Sequence, residues 1–283
     1  MKKDCAVIVP IYKDYVMLSS DEVWSYMQLL TIFPKRQKII VTSKNVDILR
    51  YIEEARECGV SLKVEIFDVS YFQSTATYNE LMLSSEFYRR FLLYDYMLIY
   101  QLDAYVFEDK LDYWMSKEYD YIGAPWFTHY GDHESGDELW EVGNGGLSLR
   151  RVKFYYDLLT YKFILYRGLD IKHGLYQFIK SLAKSFGYHN TIKWHKKYMK
   201  GVLNEDCFLS YHLKEITNNP KFLPSIPSPQ EAIAFAFEKS PSFLFEKNGR
   251  RLPMGCHAFM KYEYKNFWSA YIKNEAYCNN NQL

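Results

Sequence analysis

Short apolar runs alternate with segments of helical spacing along the first hundred residues, and this alternation constrains the fold more than any other feature. The apolar runs occupy residues 5–11, 38–42 and 96–102, and helical spacing occupies residues 21–31 and 46–58. Continuous apolar runs are typical of strands that are covered on both faces of a sheet. Because strands that alternate with helices join through right-handed crossovers, the sequence predicts an α/β fold with a mainly parallel sheet.

The bulk composition narrows the class of protein. A chain of 283 residues is long enough for one sizeable core, and its formal charge of +1 argues against nucleic-acid binding. The five cysteines include no Cys-x-x-Cys pair, which favours a reduced compartment. No window approaches the roughly 18 apolar residues of a spanning helix. The sequence therefore predicts a cytoplasmic protein.

The apolar run that begins at Tyr96 leads directly to Asp103. In an open α/β sheet, ligands collect outside the carboxyl ends of the strands, so Asp103 and the nearby Gln101 are candidate ligand contacts. A carboxylate at this position suits Mg²⁺ or Mn²⁺, which would bridge a diphosphate. The alternative is a structural aspartate that caps the following turn.

Three further polar clusters follow, at residues 143–146 (Gly-Asn-Gly-Gly), 204–206 (Asn-Glu-Asp) and 255–257 (Gly-Cys-His). The glycines of the first cluster allow the backbone to approach a ligand, while the Asn144 amide binds hydroxyl groups. The pattern is neither a dinucleotide fingerprint nor a P-loop. Each cluster also has a structural alternative. The first would be a tight loop between strands, the second a pair of acids favoured at a helix start, and the third a hydrogen-bonded loop histidine.

Two other segments carry a local signal. Thr77 and Glu80 have capping-box spacing, which predicts a helix that begins at residue 77 and extends to residue 92. Residues 162–200 contain nine Lys or Arg and a single acid, with aromatic residues between them. This basic segment suits contact with an anionic membrane surface, for example the inner face of the cell membrane, or a solvated helical face.

The motifs taken together resemble a known family. They are Tyr78-Asn, Phe87-Tyr, Tyr100-Gln-Leu-Asp-Ala, Tyr121-Ile-Gly-Ala-Pro-Trp, Gly143-Asn-Gly-Gly-Leu-Ser-Leu-Arg, Asn204-Glu-Asp and Cys256-His. In this order, over residues 5–260, the chain resembles DUF5672, a bacterial family of proposed glycosyltransferases. Such families are similar to GT-A glycosyltransferases, whose fold is a Rossmann-like α/β/α sandwich.

The resemblance implies one GT-A-like domain over residues 1–283. Residues 1–125 would form the nucleotide-binding half, and residues 126–283 an irregular acceptor-side half. It also implies that Asp206 is the catalytic base and that Glu205 orients the acceptor or its loop. The donor-binding residues that it implies are Pro10, Tyr12, Thr42, Gln101, Asp103, Asn144, Gly145 and Gly146.

The metal site departs from the GT-A pattern. GT-A enzymes usually carry Asp-x-Asp at this strand end, whereas Tyr105 here replaces the second acid. The resemblance implies that Asp103 and His257 hold Mn²⁺ or Mg²⁺. The alternative is that no metal is used and that a basic side chain compensates the diphosphate. The candidates for that role are Arg150, Arg151 and Lys261.

These expectations describe a transferase that moves a sugar from a nucleotide-sugar donor to a glycan or lipid-linked acceptor. Direct displacement by the acceptor would invert the anomeric centre, and the product would belong to surface polysaccharide or glycolipid assembly. The incomplete Asp-x-Asp motif leaves a second hypothesis open, a non-catalytic carbohydrate-binding or scaffold protein on the same fold. A sugar nucleotidyltransferase is disfavoured because no Gly-rich, basic loop follows Ile8.

Overall fold

The computed structural model describes residues 3–128, 132–134, 137–160, 204–216 and 220–272, and the single positions 175 and 179. The basic segment at residues 162–200 lies outside the described residues apart from those two positions. Its predicted membrane contact therefore stays a prediction. Among the described residues, no helix combines the length and the apolar character that a bilayer span requires.

The strands form one large and two small sheets. In chain order they are β1 (Cys5–Pro10), β2 (Lys38–Ser43), β3 (Leu62–Phe67), β4 (Tyr96–Tyr100), β5 (Ala104–Val106), β6 (Tyr121–Ile122), β7 (Ala124–Phe127), β8 (Leu139–Gly143), β9 (Leu147–Arg151), β10 (Ala236–Phe237) and β11 (Gly255–His257). The large sheet has the strand order β3-β2-β1-β4-β9-β6. The small sheets have the orders β10-β11-β5 and β7-β8.

The large sheet is mainly parallel, as predicted. Strands β1 to β4 all run in one direction, and β9 runs antiparallel to both of its neighbours. Strand β1 lies between β2 and β4, so the chain leaves β1 towards one side and returns on the other. This reversal creates a crevice at the carboxyl ends of β1 and β4, where open α/β sheets bind their ligands.

Helices cover both faces of this sheet, and others pack against the two small sheets. They are α1 (Ser20–Ile32), α2 (Leu49–Glu57), α3 (Thr75–Met82), α4 (Ser85–Arg89), α5 (Leu111–Ser116), α6 (Val152–Thr160), α7 (residues 205–216, with a π-helical turn over Phe208–His212), α8 (Pro229–Ala232) and α9 (Pro241–Lys247). Short 3₁₀ helices lie at Tyr15–Met17, Val69–Phe72, Pro220–Phe222 and Trp268–Ala270. The three-layer α/β/α arrangement agrees with the predicted fold class.

The alternation of side chains along β1 explains the two layers. Val7 packs in a core that includes residues of α1, α2 and α5, whereas Ile8 packs against residues of α4, α6 and α7. Both side chains are fully buried, and each contributes roughly 1.5–3 kcal/mol of hydrophobic stabilisation. A strand buried on both faces requires the continuous apolar run that the sequence shows.

The start of α3 differs from its prediction. The N-cap is Ser74 rather than Thr77, and the two residues cap each other reciprocally. The Ser74 amide donates to Thr77 Oγ1 at 3.0 Å, and the Thr77 amide donates to Ser74 Oγ at 3.2 Å. The predicted helix is also interrupted after Met82, and α4 begins with Ser84 as its own N-cap. Serine at these positions satisfies the free amides of a new helix start.

The cysteines differ in part from the predicted reduced set. Cys5, Cys207 and Cys256 are free thiols, whereas Cys58 is disulfide-bonded. Because spacing along the chain does not show which cysteines meet in the fold, this bond could not be predicted from the sequence.

Candidate functional site

A cleft of about 440 Å³ opens at the carboxyl ends of β1 and β4. The segment after β1, the segment after β4 and the N-terminus of α3 each supply part of its lining. The described lining residues are Pro10, Ile11, Tyr12, Lys13, Leu18, Glu22, Tyr51, Phe72, Gln73, Ser74, Thr75, Tyr78, Gln101, Leu102 and Asp103.

The walls of this cleft differ in chemistry. Tyr12 presents an aromatic ring that is 61% exposed, while Ser74 and Thr75 belong to the first turn of α3. That turn contains no acidic residue, so its free backbone amides and the helix dipole favour an anion. The cleft therefore offers both a stacking surface and an anion-favouring helix end.

Asp103, His257 and Glu238 form a continuous polar row beside the cleft. His257 Nε2 lies 3.1 Å from Asp103 Oδ1, and His257 Nδ1 lies 3.1 Å from Glu238 Oε1. The strand register produces this row. In the small sheet, His257 of β11 is opposite Ala104 of β5, and Cys256 is opposite Phe237, the residue before Glu238. Residues 103, 238 and 257 therefore meet although they are distant in the chain.

The electrostatics of the row follow from its two carboxylates. Burial lowers the pKa of His257, but the ion pairs with Asp103 and Glu238 outweigh this effect and raise its pKa to about 10. Burial would raise the pKa of Asp103, yet the adjacent His257 ring lowers it on balance. Asp103 therefore stays ionised near neutral pH and presents negative charge to the cleft.

The same row contains the candidate metal ligands. Among the described residues, no group of three or more His, Cys, Asp or Glu side chains is arranged to hold a metal ion. Two atoms nevertheless fit one: Asp103 Oδ1 and His257 Nε2 are both buried and face each other at 3.1 Å, as an ion pair while His257 is protonated. A cation that displaces the Nε2 proton would find these two ligands side by side and would take its remaining ligands from a diphosphate and water.

The Gly-Asn-Gly-Gly loop lies against this row. Strand β9 pairs with β4 so that the Gln101 amide donates to the Gly146 carbonyl at 2.9 Å. A Cβ atom built on Gly146 would lie 2.0 Å from His257 Nε2, so only glycine allows the imidazole to sit there. A Cβ on Gly145 would lie 2.8 Å from Glu205 Oε1. The glycines thus make room for functional side chains.

Asn144 organises the loop from within. It has φ of +111°, an unfavourable value for a residue with a side chain, and it is 2% exposed. Its Oδ1 accepts from the amides of Gly146 and Leu147 at 2.8 and 3.0 Å. We expected this amide to bind ligand hydroxyl groups, but its oxygen holds the loop instead. Its Nδ2 is buried with no hydrogen-bond partner in the described structure.

Replacing Gly146 with alanine should displace His257 while the fold is retained. The new methyl group overlaps the imidazole rather than the backbone, so the ring has to move while the loop can keep its path. We expect Mn²⁺ affinity to fall by about tenfold or more, measured by electron paramagnetic resonance. The contrasting variant is G255A, whose methyl group would lie 2.8 Å from the Tyr105 carbonyl oxygen and should lower the melting temperature. Unchanged Mn²⁺ affinity in G146A would argue against a metal at His257.

Asp206 lies on the other side of the glycine loop. Its Oδ2 accepts from the Asn144 amide at 3.2 Å, and its Oδ1 accepts from the Cys207 amide at 2.8 Å. Burial raises its pKa, although these backbone hydrogen bonds partly oppose the shift. Asp206 is 8% exposed, and it is not among the described residues that line the cleft. The loop therefore connects Asp103, through His257, to Asp206.

Glu205 is held by a buried ion pair. Its two oxygens accept from Arg150 Nη1 and Nη2 at 2.9 and 2.8 Å, and Arg150 also donates to the Tyr88 hydroxyl. The side chains of Arg150 and Glu205 are 0% and 2% exposed. We expected Glu205 to orient the acceptor and Arg150 to compensate a diphosphate. Both are instead engaged with each other in the interior.

The remaining predicted residues are dispersed. Thr42 is buried at the end of β2, and it is not among the described residues that line the cleft. Arg151 pairs with Asp120, and it is opposite Tyr96 at the far end of β4 because β9 runs antiparallel. Lys261 is exposed, and its pKa is raised mainly by the Tyr262 hydroxyl, with smaller contributions from Glu238 and Asp103. Of the three basic candidates, Lys261 therefore has a position compatible with the site.

Two features of the site were missed in the sequence. Glu238 directly follows the apolar residues 232–237, the same signal that singled out Asp103. Ser74 and Thr75, which line the cleft, belong to the start of α3, whose predicted cap, Thr77, lies three residues after Ser74.

Comparison with known proteins gives one family match. Residues 61–257 match the family described as "Protein of unknown function (DUF5672)". The match begins later than the predicted resemblance, which extended from residue 5, so β1 and β2 lie outside it. No curated protein sequence matches the chain.

Several solved structures are similar. An active-site mutant of LgtC has 10% identity and a TM-score of 0.48, with 89% of this chain and 86% of that chain covered. Mouse xyloside xylosyltransferase 1 has 12% identity and a TM-score of 0.46, with 90% and 97% covered. A glycosyltransferase involved in glycosylation of the major capsid of PBCV-1 has 7% identity and a TM-score of 0.38, with 90% and 93% covered. At these scores the likeness concerns the overall fold and says nothing of the site.

Proposed function

This chain belongs to the DUF5672 family, and we propose that it is a glycosyltransferase that moves a sugar from a nucleotide-sugar donor to a hydroxyl group. The observation that carries the proposal is the row of Asp103, His257 and Glu238 beside a cleft at the reversal point of the sheet. A crevice at this point of an α/β sheet is where nucleotides bind, and a negative row beside it suits a cation that neutralises a diphosphate.

The donor would lie along the cleft. The exposed Tyr12 ring suits stacking on a base, and the first turn of α3 suits an anionic diphosphate. Pro10 and Gln101 line the same space. Asn144, Gly145 and Gly146 would approach the transferred sugar through the backbone next to His257.

Asp103 and His257 would hold Mn²⁺ or Mg²⁺. When bound, the cation would neutralise the leaving nucleoside diphosphate. Asp103 would also orient the diphosphate through its half-exposed carboxylate, and Lys261 would add positive charge at the rim.

Asp206 is the proposed general base. A carboxylate with a raised pKa is better matched to taking a proton from an acceptor hydroxyl as that oxygen attacks the anomeric carbon. Direct displacement would invert the anomeric centre. For Glu205 we propose a structural role, because Arg150 engages both of its oxygens.

The finer assignments extend the same proposal. Residues 1–125 would bind the nucleotide, and residues 126–283 would bind the acceptor, a glycan or a lipid-linked saccharide in surface polysaccharide assembly. We propose action in the cytoplasm at the inner membrane face, with the basic segment at residues 162–200 as the contact. A hexose is the expected class of sugar.

A donor panel tests the function. We expect the protein to hydrolyse or transfer at least one of a set of UDP-, GDP- and TDP-sugars in the presence of Mn²⁺. D103A should reduce the turnover by about 100-fold or more, because several kcal/mol of charge stabilisation depend on the cation. D109N is the control, since Asp109 pairs with Arg36 rather than facing the cleft. No turnover with any donor, together with retained glycan binding, would instead support a carbohydrate-binding protein.

A further inference from the structure

Glu238 is the one member of the polar row that the proposed catalytic steps leave without a task. It directly follows β10, and its side chain is 16% exposed. The parallel pairing of Phe237 with Cys256 aligns the next residues of the two strands, Glu238 and His257. The fold therefore holds this carboxylate beside the imidazole through backbone pairing.

The contact fixes the role of each ring nitrogen. His257 Nδ1 lies 3.1 Å from Glu238 Oε1, and a carboxylate in this position accepts the Nδ1 proton. With Nδ1 engaged, Nε2 is directed to Asp103. The His257 side chain is 13% exposed, so water competes little for either contact.

The distance across the row matches that between neighbouring ligands of one cation. Asp103 Oδ1 and His257 Nε2 are 3.1 Å apart, and both atoms are buried. In an octahedral site with ligands at about 2.1 Å, adjacent ligand atoms are about 3.0 Å apart. With Nε2 deprotonated, the two atoms would thus fill two adjacent positions of such a coordination shell.

Gly146 limits the ring on a third side. A Cβ atom at this position would lie 2.0 Å from Nε2 and 2.2 Å from Cδ2 of His257, so the loop backbone packs directly against the imidazole. Glu238, Asp103 and Gly146 together leave the ring little freedom to rotate.

We propose that Glu238 is a positioning residue that sets the orientation and tautomer of His257, so that Nε2 is presented with Asp103 Oδ1 as a pair of cation ligands. This inference rests on the proposed function only for the presence of a cation. A hydrogen-bonded carboxylate behind a histidine ligand orients the ring and raises its basicity as a ligand. Glu238 thereby compensates in part for the acid that is missing at Tyr105.

Mn²⁺ binding to E238Q tests the proposal without a sugar donor. We expect about 10- to 100-fold weaker Mn²⁺ affinity than in the unmodified protein, measured by electron paramagnetic resonance with and without UDP. E231Q is the matched control, because this substitution removes the same charge but does so beside Lys117, where Glu231 does not contact His257. Its Mn²⁺ affinity should be unchanged. Circular dichroism checks that each variant is folded.

Coordination of Mn²⁺ by a histidine nitrogen supplies a second measurement. If Glu238 had a purely structural role, this coordination would not change in E238Q. Pulsed electron paramagnetic resonance on protein labelled with ¹⁵N-histidine should show a histidine nitrogen bound to Mn²⁺ in the unmodified protein and in E231Q. The signal should be lost in H257Q and weakened in folded E238Q. Full Mn²⁺ affinity and an unchanged nitrogen signal in E238Q would overturn the proposal, as would absence of Mn²⁺ binding in the unmodified protein.

The two failures are distinguishable. If Mn²⁺ binds through His257 and depends on Glu238 while no donor is turned over, the positioning role stands and the transferase proposal fails. If donors are turned over equally with chelator present, the transferase stands and the role of Glu238 fails.

Discussion

Replacing Asp206 with asparagine should reduce sugar transfer by about 100- to 10,000-fold, which is the range that a general base contributes. Asparagine keeps the shape of the side chain, and its oxygen still accepts one of the two backbone hydrogen bonds. It cannot take the acceptor proton. Steady-state kinetics with the donor found in the panel, together with calorimetric donor binding, provide the measurement.

Donor affinity should change by no more than about twofold in D206N, because the base acts on the acceptor and in the transition state. D120N is a matched control: Asp120 is also 8% exposed and accepts a backbone hydrogen bond from Ser225, but it pairs with Arg151 at the other end of the sheet. Its transfer rate should be close to that of the unmodified protein. Donor binding lost together with transfer in D206N would remove Asp206 from the role of base.

Breaking the buried pair of Arg150 and Glu205 should cause the largest loss of stability. In E205Q the guanidinium stays fully buried without a counter-charge, and we expect the free energy of unfolding to fall by about 3–5 kcal/mol. In R150M the Glu205 carboxylate stays buried without a counter-charge, and we expect the free energy of unfolding to fall by a similar amount. Chemical denaturation monitored by circular dichroism provides the measurement.

The double variant R150M/E205M separates the interaction between the two charges from the effect of losing each side chain. Because it removes both charges, it should be less destabilised than the sum of the single variants. D157N is the surface control: the exposed ion pair of Lys153 and Asp157 should contribute about 0–1 kcal/mol. Losses below about 1 kcal/mol in both single variants would contradict a structural role for the buried pair.

Local patterns of apolar residues in the sequence predicted much of the fold. The apolar runs of β1, β2 and β4 and the helical spacing of α1 and α2 were each identified, because burial on both faces of a sheet leaves a continuous signal in the sequence. The start of α3 was misplaced, since both Ser74 and Thr77 belong to capping pairs and only the backbone geometry selects between them.

The site was less predictable, because its members meet through strand register. Asp103 was identified by its position at the end of an apolar run. Glu238 was not identified, although it follows a similar run, because its contact with His257 depends on the alignment of β10 with β11. The engagement of Glu205 with Arg150 likewise depends on two segments that are 55 residues apart. Pairings between distant segments leave no trace in a local pattern.

The most direct test of the central proposal is a crystal structure of the protein soaked with Mn²⁺ and UDP, or with the nucleotide that the donor panel selects. The proposal predicts the base beside Tyr12, and the diphosphate between the first turn of α3 and a Mn²⁺ ion bound by Asp103 and His257. A nucleotide bound elsewhere on the protein, or a cleft that stays empty at saturating nucleotide, would contradict it.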